Sequence, residues 1–124
     1  MKKVIATTSA PGAIGPYSQA IDTGSFVYAS GQIPLNPATG EIPEGITAQT
    51  RQSLSNVCGI LEAAGLTTDN VVKTTVFLRD MADFGAMNEV YAQVFKEPYP
   101  ARSAVAVREL PKGVLVEIEV IALR

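Results

Sequence analysis

From Val114 onward the chain alternates with a period of two. Val116, Ile118, Val120 and Ala122 project to one side, and Leu115, Glu117, Glu119, Ile121 and Leu123 to the other. A half-exposed strand carries one polar face. Here the side bearing two carboxylates is itself mostly apolar, so both faces are expected to be covered and at least one carboxylate shielded from water. An unpaired buried charge is costly, which directs attention to nearby cations. Arg102, just after Pro98 and Pro100, is the nearest in sequence that could share a pocket with Glu117 or Glu119.

The remaining periodicities give the other elements. Val4–Thr7 reads as a short first strand. Gln19–Asp22 and Phe26–Ser30 flank Thr23-Gly24-Ser25, a hairpin signal. Residues 31–45 contain Pro34, Pro37, Gly40 and Pro43 and are expected to form a long ordered loop. Thr47 is placed to cap a helix running to about Ala64, with Gly65 at the C′ position. In it Leu54, Val57, Cys58, Leu61 and Ala64 share a stripe, with Gln52, Ser53, Asn56 and Glu62 off it. Val71–Leu78 is a strand rich in β-branched residues. Asp80 or Asp83 caps a second helix to about Lys96, with Phe84, Met87, Tyr91, Val94 and Phe95 inward. Strands Ser103–Val107 and Val114–Leu123 follow, joined around Pro111-Lys112-Gly113.

The order β-β-β-α-β-α-β-β predicts one α+β domain over residues 1–124, a mixed sheet with two helices on one face. Phe26, Tyr28, Leu115, Ile121 and Leu123 then leave the opposite face more apolar than an exposed face should be. Contact with further copies of the chain is the simplest cover.

Composition removes several kinds of chemistry. The 124 residues include no histidine, which excludes Ser-His-Asp and Cys-His catalysis and imidazole-based zinc sites. One cysteine, Cys58, allows neither an internal disulfide nor a CxxC motif. A carboxylate-only Mg or Ca site is left open, although no EF-hand spacing occurs, and no Walker loop or GxGxxG follows a strand, so a nucleotide phosphate cradle is not expected. A net charge of −2 argues against a phosphate-backbone binder. No apolar run approaches the ~18 residues of a membrane span. The amino terminus lacks the apolar core of a signal peptide, so a cytoplasmic location is expected.

Residues able to carry chemistry each admit two readings. Arg102 offers a planar fork of donors for a carboxylate or phosphate, or an ion pair with Glu117 or Glu119. Glu117 could accept a proton from water, or be a solvated strand charge. Tyr17, after Gly15-Pro16, could bind a ligand or simply pack. Ser30-Gly31 could admit a ligand to backbone N–H groups, or form a turn. Asn88 sits where a surface helical residue is usual, and Cys58 falls on the apolar stripe as a packing residue.

Taken together, Gly15-Pro16-Tyr17-Ser18, Ser30-Gly31-Gln32-Ile33-Pro34, Asn36-Pro37 through Thr39-Gly40, Asn56-Val57, and Asp83-Phe84 through Asn88, Tyr91 and Phe95 resemble the Rid family of YjgF-type reactive-intermediate deaminases. Pro100-Ala101-Arg102-Ser103, Leu110-Pro111 and Val116-Glu117-Ile118-Glu119 are the most specific part of that resemblance. It implies a chorismate-mutase-like α+β fold, a homotrimer with pockets between subunits, and no cofactor or metal. It implies hydrolysis of 2-iminopropanoate and 2-iminobutanoate, formed from enamines that pyridoxal-phosphate dehydratases release, to 2-oxo acids and ammonia. Arg102 would grip the substrate carboxylate and Glu117 would activate water. Tyr17, Ser30, Gly31, Asn88 and Ala104 would complete the pocket. Many members carry cysteine where this chain has Ala104, so a thiol contribution there is not expected. The competing readings are a trimer that binds small carboxylates without turnover, and an endoribonuclease or translation inhibitor.

Overall fold

The alternating carboxy-terminal segment becomes the structural middle of the molecule. The computed structural model describes Met1–Arg124 and contains strands β1 (Lys3–Ile5), β2 (Ala20–Asp22) and β3 (Phe26–Gln32), helix α1 (Ile46–Ala63) and strand β4 (Val71–Leu78). Helix α2 (Phe84–Val94), strand β5 (Ala101–Ala106) and strand β6 (Val116–Leu123) complete it. They form one six-stranded sheet in the order β1-β2-β3-β6-β4-β5, so the last strand lies between β3 and β4. All pairings are antiparallel except β4 with β5, which are parallel and joined through α2. The expected α+β class and element order therefore hold, and no helix is long and apolar enough to cross a membrane.

Both helices cover one face. Val116, Ile118, Val120 and Ala122 are no more than 2% exposed, and they join a contiguous core with Leu54, Val57, Ile60 and Leu61 of α1 and Met87 and Val90 of α2. Each large aliphatic side chain so buried contributes about 1.5–3 kcal/mol, so this stripe holds the two layers together. On the other face Glu117, Glu119 and Ile121 are half-buried, while Phe26, Tyr28 and Leu123 are exposed. In the single chain, therefore, the second face is not covered.

Element boundaries moved where local chemistry competed with pattern. Helix α1 starts one residue after Gly45, whose φ of 88° suits glycine, and Thr47 lies inside the helix rather than at its cap. Its end does follow expectation. Leu66 N–H donates to the Leu61 carbonyl and Gly65 N–H to that of Glu62, a Schellman closure with Leu61 and Leu66 both buried. Asp80 caps a short 3₁₀ turn by accepting the Ala82 N–H at 2.9 Å, and α2 follows it. Helix α2 stops at Val94, because Phe95 turns extended and packs its ring 4.5 Å from that of Tyr91. The first strand is likewise shorter than expected, ending at Ile5.

The polar flank of α1 is buried, not solvated. Ser53 Oγ donates to the Gln32 carbonyl at 2.7 Å, and Asn56 Nδ2 donates to the carbonyls of Ile33 and Leu35. Gln49 donates to the Pro43 carbonyl and accepts the Leu115 N–H. These bonds satisfy buried side chains and order the proline-rich loop that leaves β3, which fixes the end of β3 where Gly31 lies.

Candidate active site

The guanidinium of Arg102 stands on a platform that its own chain supplies. In the parallel β4–β5 pair Arg102 is opposite Thr74, whose side chain is fully buried beneath α2. Residues directly opposite one another share a face, so Arg102 projects to the helix side at the sheet edge. Phe84, Asn88 and Tyr91 recur at i, i+4 and i+7 and so share one face of α2. The guanidinium lies 4.8 Å from the Tyr91 ring centroid and 5.4 Å from that of Phe84, and its Nη1 donates to Asn88 Oδ1 at 2.7 Å. The Tyr91 hydroxyl shares a 2.7 Å hydrogen bond with Thr74 Oγ1. An open cleft bounded by Asn88, Tyr91, Ala92, Tyr99 and Pro100 gives access to Arg102. None of its protein partners is charged, so the cation keeps both its charge and most of its donors for a ligand.

Glu117 lies on the other side of the sheet. It is opposite Phe77 in β4, three residues from Thr74, and an odd step along a strand reverses the face. The pairing of β3 with β6 is irregular between Ala29 and Gln32, and Gly31 falls in that irregularity. A Cβ on residue 31 would stand 2.9 Å from Glu117 Cδ and collide with the carboxylate, so only glycine leaves room for the acid in this position. Burial raises the Glu117 pKa above 4.5, and the neighbouring Glu119 charge adds to the rise.

The same side gathers Tyr17 and Ser30. Ser30 N–H donates to the Gln19 carbonyl and Ser30 Oγ to the Ser18 carbonyl at 2.6 Å, joining β3 to the segment after Tyr17. The buried Gln19 side chain accepts the Thr7 N–H and donates to the carbonyls of Thr7, Ala10 and Pro11. These bonds position a loop whose Tyr17 ring is half-exposed above the open face, in a depression shared with Tyr28, Ser30 and Glu119.

The predicted residues thus fall into two groups. Tyr17, Ser30, Gly31 and Glu117 lie toward the open face, whereas Arg102, Asn88 and Ala104 lie on the helix side. Ala104 is opposite Val76 and packs its methyl against the core. The ion-pair reading of Arg102 does not hold in the chain, since the one salt bridge joins Arg124 to Asp22 at 2.8 Å. Cys58 is half-buried with its thiol pKa raised by burial, as suits a packing residue. Sequence reasoning missed Phe84, Tyr91 and Thr74 as neighbours of Arg102. The i, i+4, i+7 spacing about Asn88 was the signal, but it served equally well for a core face.

A six-stranded mixed sheet backed by two helices is the fold that this chain shares with YjgF/Rid proteins of the α+β class. The chain belongs to the family described as Endoribonuclease L-PSP, whose model matches residues 7–124. It is 54% identical over 127 residues to the 2-iminobutanoate/2-iminopropanoate deaminase of Escherichia coli K12, covering 100% of this chain and 99% of that protein. A RutC family protein of Haemophilus influenzae is 57% identical over 128 residues, with coverage of 100% and 98%. Among solved structures, E. coli TdcF with bound serine aligns at a TM-score of 0.95 with 54% identity, covering 98% of each chain. A Rid family protein of Yersinia pestis aligns at 0.97 with 53% identity over 100% of both.

Proposed function

We propose that this chain is a 2-iminobutanoate/2-iminopropanoate deaminase, working as a homotrimer whose sites form where Arg102 of one copy faces Glu117 of the next. The carrying observation is the Arg102 guanidinium, pre-ordered by neutral groups and unpaired with any carboxylate. The two half-sites lie on opposite faces of one sheet, and a second copy unites them without refolding either.

The chemistry follows from the groups present. A 2-imino acid carries a carboxylate beside an electrophilic C=N carbon. Arg102 takes the carboxylate through two charge-assisted hydrogen bonds, each worth about 1.5–3 kcal/mol. Glu117, ionised, removes a proton from water as its oxygen bonds to C2 of the iminium. The resulting carbinolamine takes that proton on nitrogen, and Glu117, a carboxylate again, accepts the hydroxyl proton as the C–O electrons form the carbonyl and the C–N bond breaks, so that a 2-oxo acid and ammonia leave. The elevated Glu117 pKa, raised by burial and by the Glu119 charge, makes it a stronger base than a free carboxylate. Holding both reactants removes much of the entropic cost of a bimolecular step. Tyr17, Ser30, Gly31 and Asn88 enclose the pocket in this reading, and no cofactor or metal takes part. In this reading the reaction runs in the cytoplasm, beside the dehydratases that release enamines.

RNA cleavage, which the family description names, fits these residues less well. The net charge is −2 and no histidine is present to serve as acid or base.

The test is a coupled assay in which a dehydratase generates the imine in situ and semicarbazide traps what remains. The wild-type protein lowers semicarbazone yield and speeds ammonia release, while Arg102→Ala and Arg102→Lys do not, since a point charge lacks the planar fork. Normal turnover by purified Arg102→Ala rules the mechanism out.

A further inference from the structure

We infer that Tyr91, held by Thr74, is a positioning residue for the substrate-gripping guanidinium, with Phe84 as its second wall; this rests on the deaminase reading above. Arg102 is exposed on an edge strand, where a long side chain would sample many rotamers, each departure weakening a bidentate grip. Three contacts restrict it: the two aromatic rings at 4.8 and 5.4 Å and the Asn88 oxygen at 2.7 Å. A guanidinium over an aromatic face is attracted by the ring quadrupole without losing its charge or its N–H donors. That differs from an ion pair, which would compete with the substrate carboxylate.

Tyr91 itself is anchored from below. Thr74, which bonds its hydroxyl, lies opposite Arg102 in the β4–β5 register. The Phe95 ring packs 4.5 Å from the Tyr91 ring. The buried core therefore carries its rigidity to the sheet edge through one phenol. Burial raises the Tyr91 pKa above 10, so the ring stays neutral at physiological pH. A tyrosinate would itself pair with the guanidinium and spoil the platform.

Because the substrate carboxylate is unchanged by hydrolysis, a disordered grip weakens ground state and transition state alike and appears in KM. The experiment measures, on the full-length assembled protein, kcat and KM for 2-iminobutanoate generated in situ, the Kd of 2-oxobutanoate, and the NMR position of Arg102 Hε. Tyr91→Leu is expected to raise KM and Kd about tenfold with kcat within about twofold, and to remove the upfield ring-current shift of Hε. Tyr91→Phe and Thr74→Val keep the ring and lose its anchor. Each should raise KM by about threefold, and the double variant should be no worse than either, as expected for one shared bond. If Tyr91→Leu does not fold, Phe84→Leu, on a half-buried ring, carries the same test. Folded ring variants with unchanged KM, Kd and Hε position overturn the inference. A wild-type protein without turnover, whose Kd for 2-oxobutanoate still rises on ring removal, instead overturns the deaminase reading and leaves the platform standing.

Discussion

The two sides of this sheet leave opposite charges uncompensated. At the β5 edge a cation rests on two rings and an amide, with no acid in reach. Around β3 and β6 an acid is pressed against a glycine and a second acid, with no cation beside it. Arg124 shows what a structural arginine looks like here. Its Nε donates to Asp22 Oδ2 at 2.8 Å and its Nη2 to the Ala64 carbonyl at 2.6 Å, which ties the carboxy terminus to β2 and the end of α1. A chain able to satisfy one arginine so fully has left another without an anion. The contrast teaches that a side chain's partners, more than its type, separate a structural charge from one kept for a ligand.

The largest expected effect tests whether the two sides meet across copies. Arg102→Ala and Glu117→Gln should each be nearly inactive. The arginine loss alone removes two charge-assisted bonds, or about two to four orders of magnitude in kcat/KM. Co-refolded at equal amounts, the two inactive proteins should regain about one quarter of the wild-type rate, because that share of sites in a cyclic trimer draws both intact residues from neighbouring copies. A mixture as inactive as its parents would mean that the sites are not shared in this way.

Next in size is Gly31→Ala. The new methyl displaces the Glu117 carboxylate, which can swing away at little cost in stability. Activity should fall by about tenfold or more with little change in melting temperature, as expected when a misplaced group costs rate and not folding. An equal loss of both would make the glycine structural.

A subtler distinction lies in the pH profile. Glu117 must be ionised to act as a base, so kcat/KM should fall as pH drops through its raised pKa, above 4.5. Glu119→Gln removes the nearby like charge, so the acid limb should move to lower pH while the plateau stays. An unmoved limb would leave burial as the whole cause.

The smallest kinetic effect is expected at the structural arginine. Arg124→Ala should lower the melting temperature and leave KM and kcat unchanged, the reverse of Arg102→Ala. Asp22 has its pKa lowered below 3.8, first by the Gly24 N–H and then, against the opposing effect of desolvation, by Arg124. A depressed folded-state value means that its stabilisation is present above the ordinary carboxylate range and is lost as pH falls through the folded pKa. Acid titration of melting temperature should therefore separate wild type from Asp22→Asn at neutral pH and bring them together at strongly acidic pH.

Much of this molecule could be read from local chemistry. The period-two strand, which begins at Val116 and not at Val114, the hairpin at Thr23-Gly24-Ser25 and the Gly65 helix stop rest on interactions spanning a few residues, and all three elements are present. The pairing of Arg102 with Glu117 by nearness in sequence was not met within the chain. Fifteen positions separate them along the chain, but their register against β4 puts them on opposite faces. Register is a long-range property, set by which strand lies between the two, and no local signal encodes it. The same holds for the polar flank of α1, buried because a loop folds over it. Periodicity and turn residues, acting over one or two turns of chain, determined the elements and the candidate residues. Only the tertiary structure decided which faces they share, because strand order and helix packing depend on contacts between segments far apart in sequence.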